Sequence, residues 1–309
     1  MSLKFIKPGM QTSIQDAGRL GFMHQGISRS GAMDPLSLQL ANWLVSNPLN
    51  QAAIEVTLVG PTIEFKKSLS IAICGAEFEL TLNDEPVFNN EMINVNVADV
   101  LAFKGLRNGT RAYLAIAGQL NVTSLFGSQA THLTARFGGY NGRQFETNDV
   151  LEFVSTRKVK ERVLPKDYRP TFSGNYLLRC CEGLEAKQFD QESLDAFYDT
   201  TYSISVDSNR MGLRLEGKPV PLNASMGIVS SGLVQGSIQV PPSGLPIISS
   251  VDGQTIGGYP RIANVISADL NILGQLKAGD KVSCLPVSRQ KTWQYLEQKH
   301  RFLNALLSS

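Results

Sequence analysis

The side chains best suited to chemistry lie in one stretch, residues 230–280, where glycine, proline and small polar residues surround short apolar runs. Gln239 and Gln254 could present two amides to a small polar ligand, and Asp252 could act as a base or cap a turn. Because side chains two apart in a strand share a face, Asp252 and Gln254 should point the same way. We therefore predict Asp252, Gln239 and Gln254 as catalytic residues.

Two Gly-Gly-Tyr turns, at residues 138–140 and 257–259, carry backbone N–H groups that could hold a carboxylate or an oxyanion. The alternative for both is a tight hairpin turn without a ligand. The second turn adjoins the acid and the amides, which favours a functional role there. The predicted substrate-binding residues are Thr255 and Tyr259 in the second half and Ser30, Asp34, Arg136 and Tyr140 in the first half.

An Asp-x-x-Arg-x-Gly pattern occurs twice, with Asp16 and Arg19 in the first half and Asp207 and Arg210 in the second. Each Asp could form an ion pair with its Arg and so brace a turn. Repetition in both halves favours a role in the fold over a role in chemistry.

Other motifs are incomplete or missing. Residues 212–218 spell most of a phosphate-binding loop, but Pro219 stands where Ser or Thr should bind magnesium, and the intervening residues alternate like a strand. We therefore predict a strand ending in a turn. No G-x-G, G-x-S-x-G or H-E-x-x-H sequence occurs. The three His and four Cys lack metal-type spacing, so we predict no metal site.

The composition is that of an ordinary globular protein. Of 309 residues, 42% are hydrophobic, and the net charge of +2 provides no basic field to attract nucleic acid. No run approaches 18 apolar residues, and no apolar leader begins the chain. We expect a reduced, cytoplasmic protein that binds neither nucleic acid nor membrane.

Short strands dominate the pattern and predict a mainly β fold of barrels or sandwiches. Strands are predicted at residues 70–74 and 77–82, and again at 100–103 and 111–117. Turn signals follow at Asn83-Asp84 and Asn108-Gly109.

Three short helices are predicted. Asp34 is a natural N-cap before Pro35, a role that competes with its predicted contact to substrate. A second helix should follow Asp190, and a third should follow Ser288. The third helix carries an apolar stripe of Trp293, Leu296, Leu303 and Leu307 that includes His300, so we expect His300 to be packed rather than catalytic.

The two halves of the chain resemble each other. Besides the Asp/Arg pattern, Ile54-x-Val56-x-x-x-Gly60 matches Ile238-x-Val240-x-x-x-Gly244, and Asp149 and Asp280 begin similar closing strands. We predict two copies of one β-rich unit, with a groove between them. The predicted bounds are 1–155 and 171–309, the latter ending in the C-terminal helix, joined by a charged linker at 156–170.

These motifs resemble the biotin-dependent carboxyltransferase family, also called the allophanate hydrolase subunit 2 family. The resemblance covers nearly the whole chain. The matching residues are Gln15-Asp16-x-Gly18-Arg19-x-Gly21, Gly26-x-x-x-Ser30-Gly31-Ala32-Met33-Asp34, Glu55-x-Thr57-x-x-Gly60-Pro61, Gly138-Gly-x-x-Gly-Arg143, Asn209-Arg210-Met-Gly212-x-Arg-Leu215 and residues 230–280. The resemblance implies two cyclophilin-like β-barrel domains, in agreement with the internal repeat.

The resemblance also implies a choice of functions. The first is the C subunit of an ATP-dependent 5-oxoprolinase, which opens 5-oxoproline to glutamate together with the A and B subunits, including a KipI-like partner. The others are carboxyl transfer from carboxybiotin to urea or a related amide, and a KipA-type regulator that binds a kinase inhibitor. The sequence contains no biotin-attachment segment, so no covalent biotin is expected on this chain. It contains no complete ATP site either, so ATP is expected to act through the complex.

Overall fold

The computed structural model describes residues 1–222 and 228–307. It forms two compact units, one made of Met1–Leu20 with Arg29–Phe172, and one made of Gly21–Ser28 with Ser173–Ser309. Strands dominate both units, which confirms the mainly β fold predicted from the sequence. No helix among the described residues is both long enough and apolar enough to cross a membrane.

The first unit is built on a ten-stranded sheet around a core of Leu, Ile, Val and Phe side chains. Its strands are β1 (Ser2–Lys7), β2 (Gln11–Gln15), β3 (Ala53–Thr57), β4 (Thr62–Phe65), β5 (Leu69–Leu82), β6 (Glu85–Val87), β7 (Met92–Val95), β8 (Val100–Ile116), β9 (Gly118–Leu120) and β10 (Val150–Thr156). The order is β2-β3-β8-β4-β1-β10-β9, and β5 pairs with β6, β7 and β8.

Two predicted turns in this sheet had different outcomes. Asn83 and Asp84 both have positive φ (53° and 66°) and close the hairpin between β5 and β6, as predicted. The turn predicted at Asn108-Gly109 is wrong, because β8 continues through it and shifts register against β5 instead. The four strands predicted in these regions are therefore only two, each long and irregular. A β-bulge absorbs the turn residues without reversing the chain.

The second unit contains a closed seven-stranded barrel with the order β11-β18-β15-β16-β13-β12-β19. Its strands are β11 (Asn175–Glu182), β12 (Tyr202–Ile204), β13 (Gly212–Glu216), β14 (Ser231–Gly232), β15 (Ser237–Gln239), β16 (Ile247–Ser249), β17 (Ile256–Gly257), β18 (Arg261–Val265) and β19 (Lys281–Pro286). β14 and β17 pair with each other outside the barrel. Apolar side chains from the barrel strands fill its core.

The three predicted helices are confirmed as α1 (Pro35–Leu44), α2 (Gln191–Asp199) and α3 (Arg289–Leu307). The Asp34 carboxylate accepts the backbone N–H of Ser37 at 3.1 Å, and Asp190 accepts that of Ser193 at 2.8 Å. Both bonds satisfy donors that a helix start leaves unpaired. Single turns of 3-10 helix lie at Met23–Gln25, Lys166–Tyr168, Ala186–Gln188, Ser267–Asp269 and Ile272–Gln275.

The predicted packing face of α3 is confirmed only in part. Leu296, Leu303 and Leu307 are half-buried, but Trp293 is 68% exposed and His300 is exposed, so the expectation that His300 is packed is wrong. The helix also packs through Tyr295, Lys299 and Leu306: the Tyr295 ring lies under the Arg179 guanidinium, and Lys299 donates to the Ala268 carbonyl. The apolar period located the helix correctly, but the face was set by these polar and aromatic contacts.

The two units share one hydrogen-bonded turn, in which an Asp accepts from a backbone N–H and from a basic side chain. Asp149 accepts the backbone N–H of Glu146 and an Arg143 guanidinium, and Asp280 accepts the backbone N–H and the ammonium of Lys277. In each unit the Asp stands directly before the closing strand, β10 or β19. This local correspondence agrees with the internal repeat seen in the sequence.

The segment predicted as a linker lies in the first unit. Arg157 donates to the Ser46 carbonyl, the Met92 N–H donates to the Arg162 carbonyl, and Leu164 is fully buried. The compact unit extends to Phe172. The bounds 1–155, 156–170 and 171–309 stay a prediction about which pieces fold independently.

Candidate functional site

The second unit carries a cavity of about 260 Å³ on the outer face of its barrel. Three of the predicted site residues line it, namely Gln239, Gln254 and Tyr259. The other described residues that line it are Asn209, Met211, Gly212, Arg214, Leu233, Ile247, Ser249, Gly257 and Gly258. The volume lies below the usual range for drug-sized ligands, so the cavity suits a small molecule.

Strand register builds the floor of the cavity. Arg214 on β13 pairs with Ile247 on β16, and Ile247 pairs with Gln239 on β15, so the three side chains form one row across the barrel. The adjacent row contains Leu213 and Ile248, which pair with each other and are buried in the barrel core. Because successive residues of a strand face opposite ways, the row with Gln239 faces outward. The predicted alternation of Gln239 with its apolar neighbours is confirmed.

A two-stranded sheet, β14 paired with β17, forms one wall of the cavity. Its anchor is Arg261, which is 5% exposed and donates to the Gly232 carbonyl and the Ser231 hydroxyl at 2.6 and 2.8 Å. Glu185 holds the same guanidinium in a two-point ion pair. Because Glu185 neutralises it, Arg261 adds no net charge to the wall. Its bonds hold β14, the strand that pairs with β17 at the start of the Gly-Gly-Tyr segment.

The Gln239 side chain is oriented by this wall. Its Nε2 donates to the Tyr259 carbonyl at 3.3 Å. Its Oε1 accepts no hydrogen bond from the described residues, so this cavity-lining side chain keeps an available acceptor. A Cβ on Gly257 would lie 2.6 Å from that Nε2, so glycine is required for the amide to lie against β17. The site therefore offers an oriented amide acceptor.

Asp252 occupies a different position from the one predicted. It is 3% exposed, is not among the described residues lining the cavity, and pairs with Arg210 at 2.7 Å from Nε to Oδ2. Residues 251–253 form a turn, so period two does not apply, and Gln254 faces the cavity while Asp252 faces Arg210. In the structure Asp252 is the buried ion-pair partner of Arg210. Its predicted catalytic role stays a prediction.

The predicted pairing within the repeated Asp/Arg pattern is wrong in both units. Arg210 bonds to Asp252, 42 residues further along, and Asp207 makes no ion pair with any described residue. In the first unit Asp16 accepts from Gly18, Ser128 and Gln129, and Arg19 donates to the Ala130 carbonyl and lies over the Phe137 ring. In each pattern it is the arginine that bonds to a partner distant in sequence.

Sequence reasoning missed Arg214, Met211 and Asn209 as residues of the cavity. The alternation around Arg214, with Leu213 and Leu215 buried, was the available signal, since it places Arg214 on the outer face. Nothing in the sequence indicated that this face borders the Gly-Gly-Tyr segment. Thr255 lies beside the cavity, where its carbonyl accepts the Leu233 N–H at 2.8 Å.

The predicted residues of the first half belong to the first unit, and none lines this cavity. Asp34 is 1% exposed and caps α1. Ser30 is also buried, with φ of 53° and no partner for its hydroxyl among the described residues. Arg136 is exposed in a turn.

Tyr140 belongs to a polar cluster of the first unit. Its hydroxyl donates to Asp149 at 3.5 Å, and Arg143 lies over its ring. Partial burial, reinforced by the Asp149 carboxylate, raises the pKa of Tyr140. It also lines a second cavity of about 230 Å³ with Asn121 and Asn141.

Asp34 contributes to a buried network rather than an open site. Its backbone N–H donates to the Tyr113 hydroxyl, which donates to Glu55 at 2.6 Å. Burial, followed by the Glu55 carboxylate, raises the pKa of Tyr113 well above its ordinary value. Tyr113 therefore stays protonated and serves as a fixed hydrogen-bond donor.

Residues 212–218 do not fit a phosphate-binding loop. Gly212–Glu216 is strand β13 of the closed barrel, as predicted from its alternation, whereas a phosphate-binding loop is a turn that opens a helix. No step involving ATP phosphates is assigned to these residues.

The fold and the cavity define a mainly β protein with a closed barrel and an amide-lined cavity on its outer face. The family described as "Carboxyltransferase domain, subdomain A and B" matches residues 25–285. The chain belongs to this family, which confirms the family resemblance predicted from the motifs.

Relatives cover almost the whole chain. It is 36% identical over 304 residues to the 5-oxoprolinase C subunit of Escherichia coli (strain K12), and the match spans 98% of this chain and 97% of the relative. It is 34% identical to the 5-oxoprolinase C subunit of Haemophilus influenzae, over 95% and 96% of the two chains. The structure is also similar to the K. lactis urea amidolyase, with TM-score 0.91 and 30% identity, covering 97% of this chain but 19% of that one.

Proposed function

We propose that this chain is the C subunit of an ATP-dependent 5-oxoprolinase and works with A and B subunits, including a KipI-like protein, in the cytoplasm. The observation that carries the proposal is the near-complete mutual coverage with two relatives of that name. The reaction adds water across the lactam C–N bond of 5-oxoproline and gives the amine and second carboxylate of glutamate. ATP is proposed to bind with the partner subunits.

The cavity of the second unit is the proposed place for the lactam. The Gln239 Oε1 can accept the lactam N–H, and the exposed Gln254 amide can donate to the lactam carbonyl. Hydrogen bonds that hold the amide in one orientation would help to position it for attack by water. We retain Gln239 and Gln254 as proposed catalytic residues, with Thr255 and Tyr259 beside them and Asp252 as their support.

The test is reconstitution of the three subunits with 5-oxoproline and ATP. We expect glutamate to form only when ATP, this chain and both partners are present. The variant Gln239→Leu removes the amide and keeps a similar size, and should lower glutamate formation at least tenfold while the complex still assembles. The matched control is Gln298→Leu on the exposed side of α3. A complete complex that forms no glutamate would refute the proposal.

Carboxyl transfer is the second candidate, and the family's own description and the similarity to a urea amidolyase favour it. It requires a carboxybiotin carrier on another protein and an acceptor amide such as urea. Transfer of labelled carboxylate from a carboxybiotin carrier to urea, without 5-oxoprolinase activity, would select this function. Tight binding of a kinase inhibitor without either activity would select the KipA-type regulator.

A further inference from the structure

Arg214 is the only charged side chain among the described residues that line the barrel cavity. Its guanidinium makes no ion pair or hydrogen bond with any residue in 1–222 or 228–307. Only its backbone is bonded, to Ser205, Ser208 and the paired strand β16. The two buried arginines of the strands and turns around the cavity are paired, Arg210 with Asp252 and Arg261 with Glu185. An exposed cation at the cavity, with no acceptor of its own, suits an anionic group of a ligand.

The row across the barrel sets the distance between this cation and the amide. Arg214 and Gln239 flank Ile247 on adjacent strands, so their Cα atoms lie two strand spacings apart, roughly 10 Å. Both side chains line the cavity together with Ile247, which is half-buried and apolar. A small ligand lying on Ile247 can therefore touch the guanidinium at one end and the Gln239 amide at the other.

Gly212 keeps this floor open. It neighbours Arg214 on the same outward face, and a Cβ there would lie 3.2 Å from the Ile247 side chain. Any larger residue would thus narrow the space above Ile247. The floor consequently combines an apolar centre, a cation on one side and an amide acceptor on the other.

From this arrangement we infer that Arg214 is a specificity residue that binds the carboxylate of a small cyclic amide acid, while Gln239 binds the lactam. The inference rests on the proposed function and adds the reason why an acid is chosen over a neutral amide. Planar guanidinium and carboxylate groups can form two parallel hydrogen bonds, which also fix the ring over Ile247. The apolar methylene groups of the ring then contact the Ile247 side chain.

The test compares an acid with its neutral counterpart in the reconstituted complex. 5-Oxoproline is the substrate, and its carboxamide, which has the same ring and no charge, is the competitive inhibitor. For Arg214→Gln we expect the KM for 5-oxoproline to rise on the order of tenfold to a hundredfold. The Ki of the carboxamide should stay within about twofold, because its binding does not use the charge.

Two further variants control the result. Arg214→Lys keeps the charge but not the two-point geometry, so it should give an intermediate KM. Arg301→Gln removes an exposed arginine of α3 outside the cavity and should change neither constant. If Arg214→Gln does not assemble with its partners, Arg214→Lys decides the question by the same comparison of acid and carboxamide.

Several outcomes would overturn the inference. An unchanged KM in Arg214→Gln removes Arg214 from substrate binding. Equal weakening of acid and carboxamide means that Arg214 acts on the fold or on a partner protein rather than on the carboxylate. A wild-type complex without activity would instead refute the proposed function itself, so the two failures are distinguishable.

Discussion

Replacing Asp252 by Asn tests whether the buried ion pair beneath the cavity is structural. The side chains of Arg210 and Asp252 are 5% and 1% exposed, and the atoms Nε and Oδ2 are 2.7 Å apart. Asn keeps the shape and one acceptor but leaves the Arg210 charge without a counter-charge. Breaking such a pair from one side costs about 3–5 kcal/mol, and the retained acceptor places Asp252→Asn near ~3 kcal/mol.

The assay is urea unfolding followed by circular dichroism, with hydrogen exchange of β13 amides to report on the second unit. With a slope of about 2 kcal/mol per molar urea, the midpoint should fall by roughly 1.5 M. The matched control is Asp207→Asn, which removes the acid that the sequence pattern had assigned to Arg210. Asp207 is exposed and has no ion-pair partner among the described residues. We therefore expect Asp207→Asn to change the free energy of unfolding of the protein by less than about 0.5 kcal/mol.

Two results would refute this reasoning. One is an equal loss of stability in the two variants, which would mean that the pair is not the cause. The other is a stable Asp252→Asn protein whose complex has lost turnover, which would make Asp252 a catalytic acid or base rather than a support. Asp252 and Arg210 replaced together by apolar residues should recover part of the lost stability, since no charge is then left unpaired.

Two further predictions concern the wall of the cavity. Gly257→Ala should displace the Gln239 amide, because the new Cβ would lie 2.6 Å from its Nε2. We expect the activity to fall at least about fivefold, with a melting temperature within about 3 °C of wild type. An unchanged activity would contradict the orientation of Gln239. The Arg261 guanidinium lowers the pKa of Glu185 against an opposing effect of burial, so this pair adds stability above the unfolded pKa of about 4.3 that is lost as pH falls through the lower folded value. Glu185→Gln should therefore be less stable than wild type at pH 7. Urea titrations should show the difference in free energy of unfolding between the two proteins shrinking as the pH falls from about 5 to about 3. A difference that stays constant with pH would show that the ion pair is not its source.

Local features of the fold could be predicted from the sequence because their causes are local. The caps Asp34 and Asp190 bond to N–H groups three residues away, and the turn at Asn83 needs only its own backbone preference. The alternation around Gln239 likewise identified its outward face. Each of these depends on neighbours within a few positions along the chain.

Features that depend on distant partners could not be predicted. Asn108-Gly109 looks like a turn in isolation but forms an irregularity within strand β8. The reason is that β5 pairs with β8 on both sides of these residues, so the strand continues instead of reversing. The exposed side of α3 depends on contacts with Arg179 and Ala268, far away in the sequence. An apolar period shows that a helix can pack, but the partner surface decides which face does so.

By itself, the sequence determined the mainly β class and the family, and it indicated the internal repeat and the segment from Gln239 to Tyr259 as the candidate site. Tertiary structure alone decided that Asp252 pairs with Arg210 and that Arg214 lines the cavity. The physical reason is register: one step along a strand moves a side chain to the other face, and only the pairing of β13, β16 and β15 aligns Arg214, Ile247 and Gln239 in one row.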